Sequence, residues 1–136
     1  MIVGPIEAVR VFTTHLAQAR RFYGETLGLA ELFADEAMVM FATGQAKLIV
    51  ERVEAGDPEA SGPEASGPEA SGPEASGLVG RFAAFSFTVA DMAAAASALR
   101  ERAVAFLGPP ERQGWGGVLA HFKDPDGNIL TLVEYP

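Results

Sequence analysis

Residues 58 to 77 read PEASGPEASGPEASGPEASG, one pentapeptide four times over. Proline at every fifth position removes a backbone donor, and glycine at every fifth raises the entropy cost of ordering the chain. No side chain in the repeat is larger than glutamate, so the segment has nothing from which to build a core. Its period of five is also far below the roughly 20 to 50 residues of stacked solenoid repeats. The segment reads as an insertion tolerated in a surface loop. Its constraint falls on the rest of the chain. With 54–79 set aside as a flexible loop, 136 residues become flanks of 1–53 and 80–136. That length suits one ordinary domain, or two very small half-domains sharing one core.

The two flanks repeat one pattern. IEAVRVF (6 to 12) is rich in β-branched residues and predicts a strand. LAQARRFYGETLG (16 to 28) then places Leu16, Ala19, Phe22, Tyr23 and Leu27 at helical spacing. Thr13 or Thr14 is the expected N-cap and Gly28 the terminator. LAELFA, AMVMFAT and QAKLIVERV follow with turn residues between them, which predicts a three-strand meander over 29 to 53. In the second flank RFAAFSFTV (81 to 89) predicts a strand, and Asp91 an N-cap for the alanine-rich helix 92 to 103. AFLGPP, GGVLAHFK and NILTLVEY supply three more strands. Each flank is therefore βαβββ. A four-stranded unit leaves open strand edges and a one-sided sheet, so two copies are expected to combine, within one chain or across a dimer.

Composition removes several function classes. Hydrophobic residues at 49% mark a chain that folds. Ten basic against 18 acidic residues give a net charge of −8, which opposes an electrostatic grip on nucleic acid or an anionic membrane. Cysteine is absent, so disulfides, thiolate metal sites and cysteine nucleophiles are excluded, and a metal would need His, Asp or Glu. No run approaches the roughly 18 apolar residues of a membrane helix. The segment MIVGPIEAVRVF lacks a basic-then-apolar signal pattern, so a cytoplasmic location is expected.

RRFYGETLGLAELF resembles the helix-to-strand signature of the vicinal oxygen chelate superfamily, which includes glyoxalase I, extradiol dioxygenases, fosfomycin-resistance enzymes and bleomycin-binding proteins. GWGGVLAHFKDPDGNILTLVE is similar to its C-terminal signature, DPDGN followed by the last strand. The resemblance covers nearly the whole chain outside the repeat. It implies an α+β fold in which two βαβββ modules form a curved mixed-sheet cradle with the helices on the outer face. It does not select an activity, because the fold hosts isomerases, oxygenases, transferases and binders that perform no chemistry.

In the superfamily's metal enzymes four strands each supply one ligand, typically His or Gln and Glu. Carried onto this chain, those positions fall on Ala8, Glu51, Ala84 (or Phe85 with a one-residue slip) and Thr131. One donor of four remains, whereas a mononuclear catalytic centre needs about three protein ligands. Strand parity from the same positions puts Ile6, Ala8, Arg10, Phe12, Lys47, Ile49, Glu51 and Val53 on the concave face. From the second flank it adds Phe82, Ala84, Ser86, Thr88, Ile129, Thr131, Val133 and Tyr135. The opposite set, Val9, Val11, Leu48, Val50, Phe85, Phe87, Leu130 and Leu132, is uniformly apolar and belongs under the helices.

A face built only for packing would not mix Arg10, Glu51, Ser86 and Thr131 among Phe and Ile, whereas a ligand cavity is mostly apolar with a few orienting polar groups. The expected contacts are Arg10, Phe12, Phe41, Glu51, Ser86, Trp115, His121 and Thr131, around a small organic ligand, with no cofactor and in a homodimer. Arg10 and Glu51 are also expected to pair with each other. No catalytic residue is assigned. The alternative is a metal-dependent lyase, isomerase or dioxygenase with a displaced ligand set, in which Glu51 and His121 hold one divalent metal ion and Glu51 serves as general base.

Overall fold

The computed structural model describes residues 2–53 and 77–136. All of the PEASG repeat except Gly77 lies outside the described residues. The chain divides into two compact units, Met1–Arg81 and Phe82–Pro136. Leu78, inside the expected loop 54–79, is buried.

In the first unit β1 (Ala8–Thr13), β2 (Ala30–Ala34), β3 (Met38–Ala42) and β4 (Lys47–Arg52) form a sheet in the order β1-β4-β3-β2. The last three strands make the expected antiparallel meander, and β1 joins it parallel to β4. Such a parallel pair needs a crossover, which the helical segment provides. Register pairs Val9 with Leu48 and Val11 with Val50. Through β4 it then pairs Val39 with Val50 and Phe41 with Leu48. These residues share the face under the helix, and Val39, Phe41, Leu48 and Val50 are almost completely excluded from solvent.

Helix α1 (Leu16–Arg21) is shorter than the periodicity predicts. Residues Phe22–Thr26 continue it as a π segment, closed by Leu27 N–H donating to the Phe22 carbonyl. Its wider turn holds Tyr23, fully buried, with its ring centroid 6.2 Å from that of Phe41. The cap also differs from expectation. His15, not a threonine, occupies the N-cap and makes no capping bond with its side chain. The Thr13 hydroxyl instead accepts from His15 N–H. On the surface Arg20 clamps Glu31 of β2 with two 2.7 Å hydrogen bonds, which raise the Arg20 pKa above its ordinary value.

The second unit repeats the plan. β5 (Phe82–Thr88), β6 (Ala105–Phe106), β8 (Val118–Lys123) and β9 (Ile129–Glu134) are ordered β5-β9-β8-β6. A short β7 (Glu111–Arg112), not anticipated from sequence, pairs with β8. Helix α2 (Met92–Glu101) starts where the sequence places it. The Asp91 carboxylate accepts from Ala94 N–H at 3.1 Å, and the Glu134 carboxylate of β9 takes the Met92 N–H. Phe122, Leu130 and Leu132 lie in the core with Met92 and Ala96. No helix among the described residues is long and apolar enough to cross a membrane.

Candidate functional site

The face of the first sheet turned away from its core carries Arg10 and Phe12 from β1, Ile49 and Glu51 from β4, and Met38 and Met40 from β3. Register sets Phe12 and Met38 on either side of Glu51, and Arg10 and Met40 on either side of Ile49. Of these only Arg10 is classed as exposed, and the others are half-buried. Arg10 Nε lies 3.5 Å from Glu51 Oε1, and its guanidinium carbon stands 5.2 Å from the Phe12 ring centroid. The expected ion pair is therefore formed, and it is wet: the two side chains keep 45% and 38% of their exposure. A half-solvated pair of this kind contributes little to stability but presents a hydrogen-bonding couple beside an aromatic ring.

Two residues need correction on this sheet. Phe41, expected to touch a ligand, is fully buried on the opposite face against Tyr23. The alternation of β3 sends Met38 and Met40 to the open side and Val39 and Phe41 inward, because Phe41 pairs with inward Leu48. Phe33 was missed. A register shift between Glu31 and Phe33 pairs Phe33 with Met40, so its ring, 52% exposed, joins the open face. Nothing in the local sequence of β2 marks that shift.

In the second unit the open face is built by the β8–β9 hairpin, whose register follows from its turn. The buried Asp124 carboxylate accepts from the backbone N–H groups of Asp126 and Asn128 at 2.9 Å and from Asn128 Nδ2 at 2.8 Å. Gly127 supplies the positive φ of 83° that an L side chain resists. With the turn fixed, His121 pairs with Thr131, and their side chains join through His121 Nδ1 and Thr131 Oγ1 at 2.9 Å. Thr131 is 4% exposed and His121 half-buried. On the next strand Ser86 pairs with Thr131, and Phe82 meets the imidazole edge to face at 5.9 Å. The DPDGN segment is thus a register device, and Thr131 is the partner of a histidine.

Trp115, 53% exposed, sits in the turn before β8. Its ring lies over the backbone of Gly117, where an added Cβ would come within 2.0 Å of it, and 5.7 Å from the ring of Tyr135. Gly117 is thus the floor on which the indole rests.

The donor set does not fit a mononuclear metal centre. Ala8 has no donor, Glu51 is already paired with Arg10, and Thr131 is engaged with His121. Among the described residues no group of three or more His, Asp or Glu side chains is placed to hold a metal ion. What the two faces offer instead is apolar and aromatic surface with a charged couple on one sheet and an imidazole–hydroxyl couple on the other.

A search of curated proteins finds no match. Among solved structures the chain is similar to a member of the glyoxalase/bleomycin resistance protein/dioxygenase superfamily from Sphaerobacter thermophilus DSM 20745, at 23% identity, covering 98% of this chain and 99% of that one with a TM-score of 0.76. It is also similar to lactoylglutathione lyase from Agrobacterium tumefaciens (18% identity, 97% and 94% covered, TM-score 0.72). A third likeness is to TnmS3, an antibiotic binding protein from Streptomyces sp. CB03234 (24% identity, 100% and 99% covered, TM-score 0.70). At these identities the likeness is one of fold, and a lyase and an antibiotic binding protein both stand among the neighbours. The family itself is carried by sequence: a family profile matches residues 5–132, and with the two βαβββ units it establishes that the chain belongs to the glyoxalase/bleomycin resistance protein/dioxygenase superfamily.

Proposed function

We propose that this protein binds a small organic ligand without a bound metal, on the open faces of its sheets, and performs no metal-assisted chemistry. The observation that carries this reading is the company Glu51 keeps. The one carboxylate retained at a superfamily ligand position is spent on Arg10 and flanked by Phe12 and Met38. A carboxylate in that setting orients a ligand's donor groups, and its arginine orients acceptors. Methionine and aromatic side chains around it suit an apolar body of variable shape. One fold neighbour, TnmS3, is an antibiotic binding protein, which is the same kind of activity.

The protein is further proposed to work as a homodimer. Edge strand β2 exposes Leu32 and Phe33 at 52% each, and an apolar edge strand left open is an association hazard unless a second chain covers it. Sedimentation equilibrium reads this directly: a monomer at micromolar concentration ends the dimer proposal.

The binding reading is tested by dialysing purified protein against micromolar Ni, Zn, Fe(II) and Mn, with Glu51→Ala alongside, and measuring retained metal. The expected result is no stoichiometric metal in either protein, and stabilisation by aromatic or antibiotic-like compounds in a thermal-shift screen. One metal per protomer, lost in Glu51→Ala, overturns the reading in favour of a metalloenzyme.

A further inference from the structure

The superfamily ligand position on the last strand has acquired a different occupation from the one on β4. Thr131 is buried and bonded to His121, and that bond engages only one of the two imidazole nitrogens. His121 Nε2 has no protein hydrogen-bond partner among the described residues, yet the residue is only half-buried and packs against Phe82. Phe82 is itself 58% exposed, so its ring presents apolar surface beside the imidazole. Ser86, which pairs with Thr131, is exposed beside them, and Ile129, paired with Phe82, adds apolar surface.

A histidine with one nitrogen tied to a buried hydroxyl has a fixed ring plane, whichever of the two groups donates. Thr131 therefore does for His121 what an outer partner does for a working imidazole: it leaves the other nitrogen as a directed polar contact. Beside that contact stands an exposed aromatic ring. Apolar rings with one oriented polar group match a flat aromatic body bearing a single hydroxyl on its rim.

Resting on the binding reading above, we infer that His121, positioned by Thr131 and flanked by Phe82, forms a seat for the hydroxyl of a phenol-type aromatic ligand. In this seat Nε2 makes the hydrogen bond to the ligand hydroxyl, and Phe82 packs against its ring. Thr131 is a positioning residue and does not touch the ligand. No proton transfer is required and no bond is made or broken.

The test uses 2-naphthol and 2-methoxynaphthalene as probes with the full chain. The chain has two histidines, His15 and His121, so the ring nitrogen signals of a 15N-labelled sample can be separated by the His121→Gln variant. The expected result is that 2-naphthol shifts the His121 ring signals and leaves those of His15 in place. Its affinity should exceed that of 2-methoxynaphthalene about tenfold, the difference one good hydrogen bond makes. That preference should vanish in His121→Phe, survive in part in His121→Gln, and weaken in Thr131→Val together with moved His121 ring nitrogen signals in the free protein. Equal binding of the two probes, with His121 unmoved, overturns the seat and leaves the binding reading standing. No binding of either probe, while the thermal-shift screen yields other ligands, also overturns it. A protein that binds nothing in that screen fails both.

Discussion

The two units are one plan carried out with different materials, and the differences are concentrated where the plan is least constrained by packing. Their cores are alike: Phe41 in the first and Phe122 in the second are fully buried on central strands, each with an aromatic neighbour, Tyr23 and Phe106. Their open faces are not. The first keeps a solvated ion pair, Arg10 with Glu51, and the second keeps a hydrogen-bonded imidazole–hydroxyl pair with a buried member, His121 with Thr131. Their turns differ too. The hairpin joining β8 and β9 is tied by a buried Asp124–Asn128 knot, whereas the one joining β3 and β4 has the exposed Thr43 hydroxyl donating to the Ala46 carbonyl. After the helix, the first unit spends Gly28 on a φ of 81° and the second forces Ala103 to 64°.

The likeness of the cores is the first thing to break. Phe41→Ala and Phe122→Ala should each lower unfolding free energy by about 3–5 kcal/mol, the usual cost of emptying a phenylalanine site. Urea denaturation of both variants reads it, and a loss below about 1 kcal/mol at Phe41 would return that residue to the open face.

How much of this was legible in the sequence follows a physical line. Period-2 alternation placed Val11, Leu48, Val50, Leu130 and Leu132 in the core and Arg10, Phe12 and Glu51 opposite, because parity survives as long as a strand is regular. It was not carried to β2 and β3, where a bulge resets parity before Phe33 and the antiparallel register with β4 sets the side of Phe41. Asp91 was readable as a cap because an acidic side chain before an alanine run has one obvious use. Thr13 and Thr14 were equally plausible caps, and neither is the one, since His15 takes the position and Thr13 binds it from behind. Thr131 was identified as a displaced ligand position. Its bond to His121 was hidden, because it depends on cross-strand register set by the Asp124–Asn128 turn between them.

The turns give the next effect. Asp124→Ala removes three hydrogen bonds that converge on one buried carboxylate, so it should cost about 3 kcal/mol. Thr43→Ala, in the corresponding hairpin of the first unit, should cost less than about 1 kcal/mol because its partner atoms reach water. Equal losses would mean that the two hairpins hold their registers by the same means.

The helix ends give effects of opposite sign. A left-handed residue with a Cβ carries roughly 1 kcal/mol of strain that glycine does not. Ala103→Gly should therefore stabilise the protein by about 0.5–1 kcal/mol, and Gly28→Ala should destabilise it by about 1 kcal/mol. Around Gly28 an added Cβ meets nothing within 4 Å, so its cost is conformational and carries no steric part. Destabilisation by Ala103→Gly would show that the entropy glycine adds to the unfolded chain outweighs the strain it relieves.

The smallest expected effect separates the two open faces most directly. Glu51→Ala removes a carboxylate 3.5 Å from an arginine, but water already reaches both partners, and Arg10 keeps its place over Phe12. The loss should be no more than about 0.5 kcal/mol and should shrink further in high salt, as it does for exposed pairs. Removing a buried partner behaves differently, because the group left behind must be satisfied from within the protein. A loss above about 2 kcal/mol in Glu51→Ala, unchanged by salt, would show that the pair is shielded from solvent in the working protein. Glu51 would then be committed to structure, as Thr131 is on the second face, and His121 Nε2 would be left as the polar contact offered to a ligand.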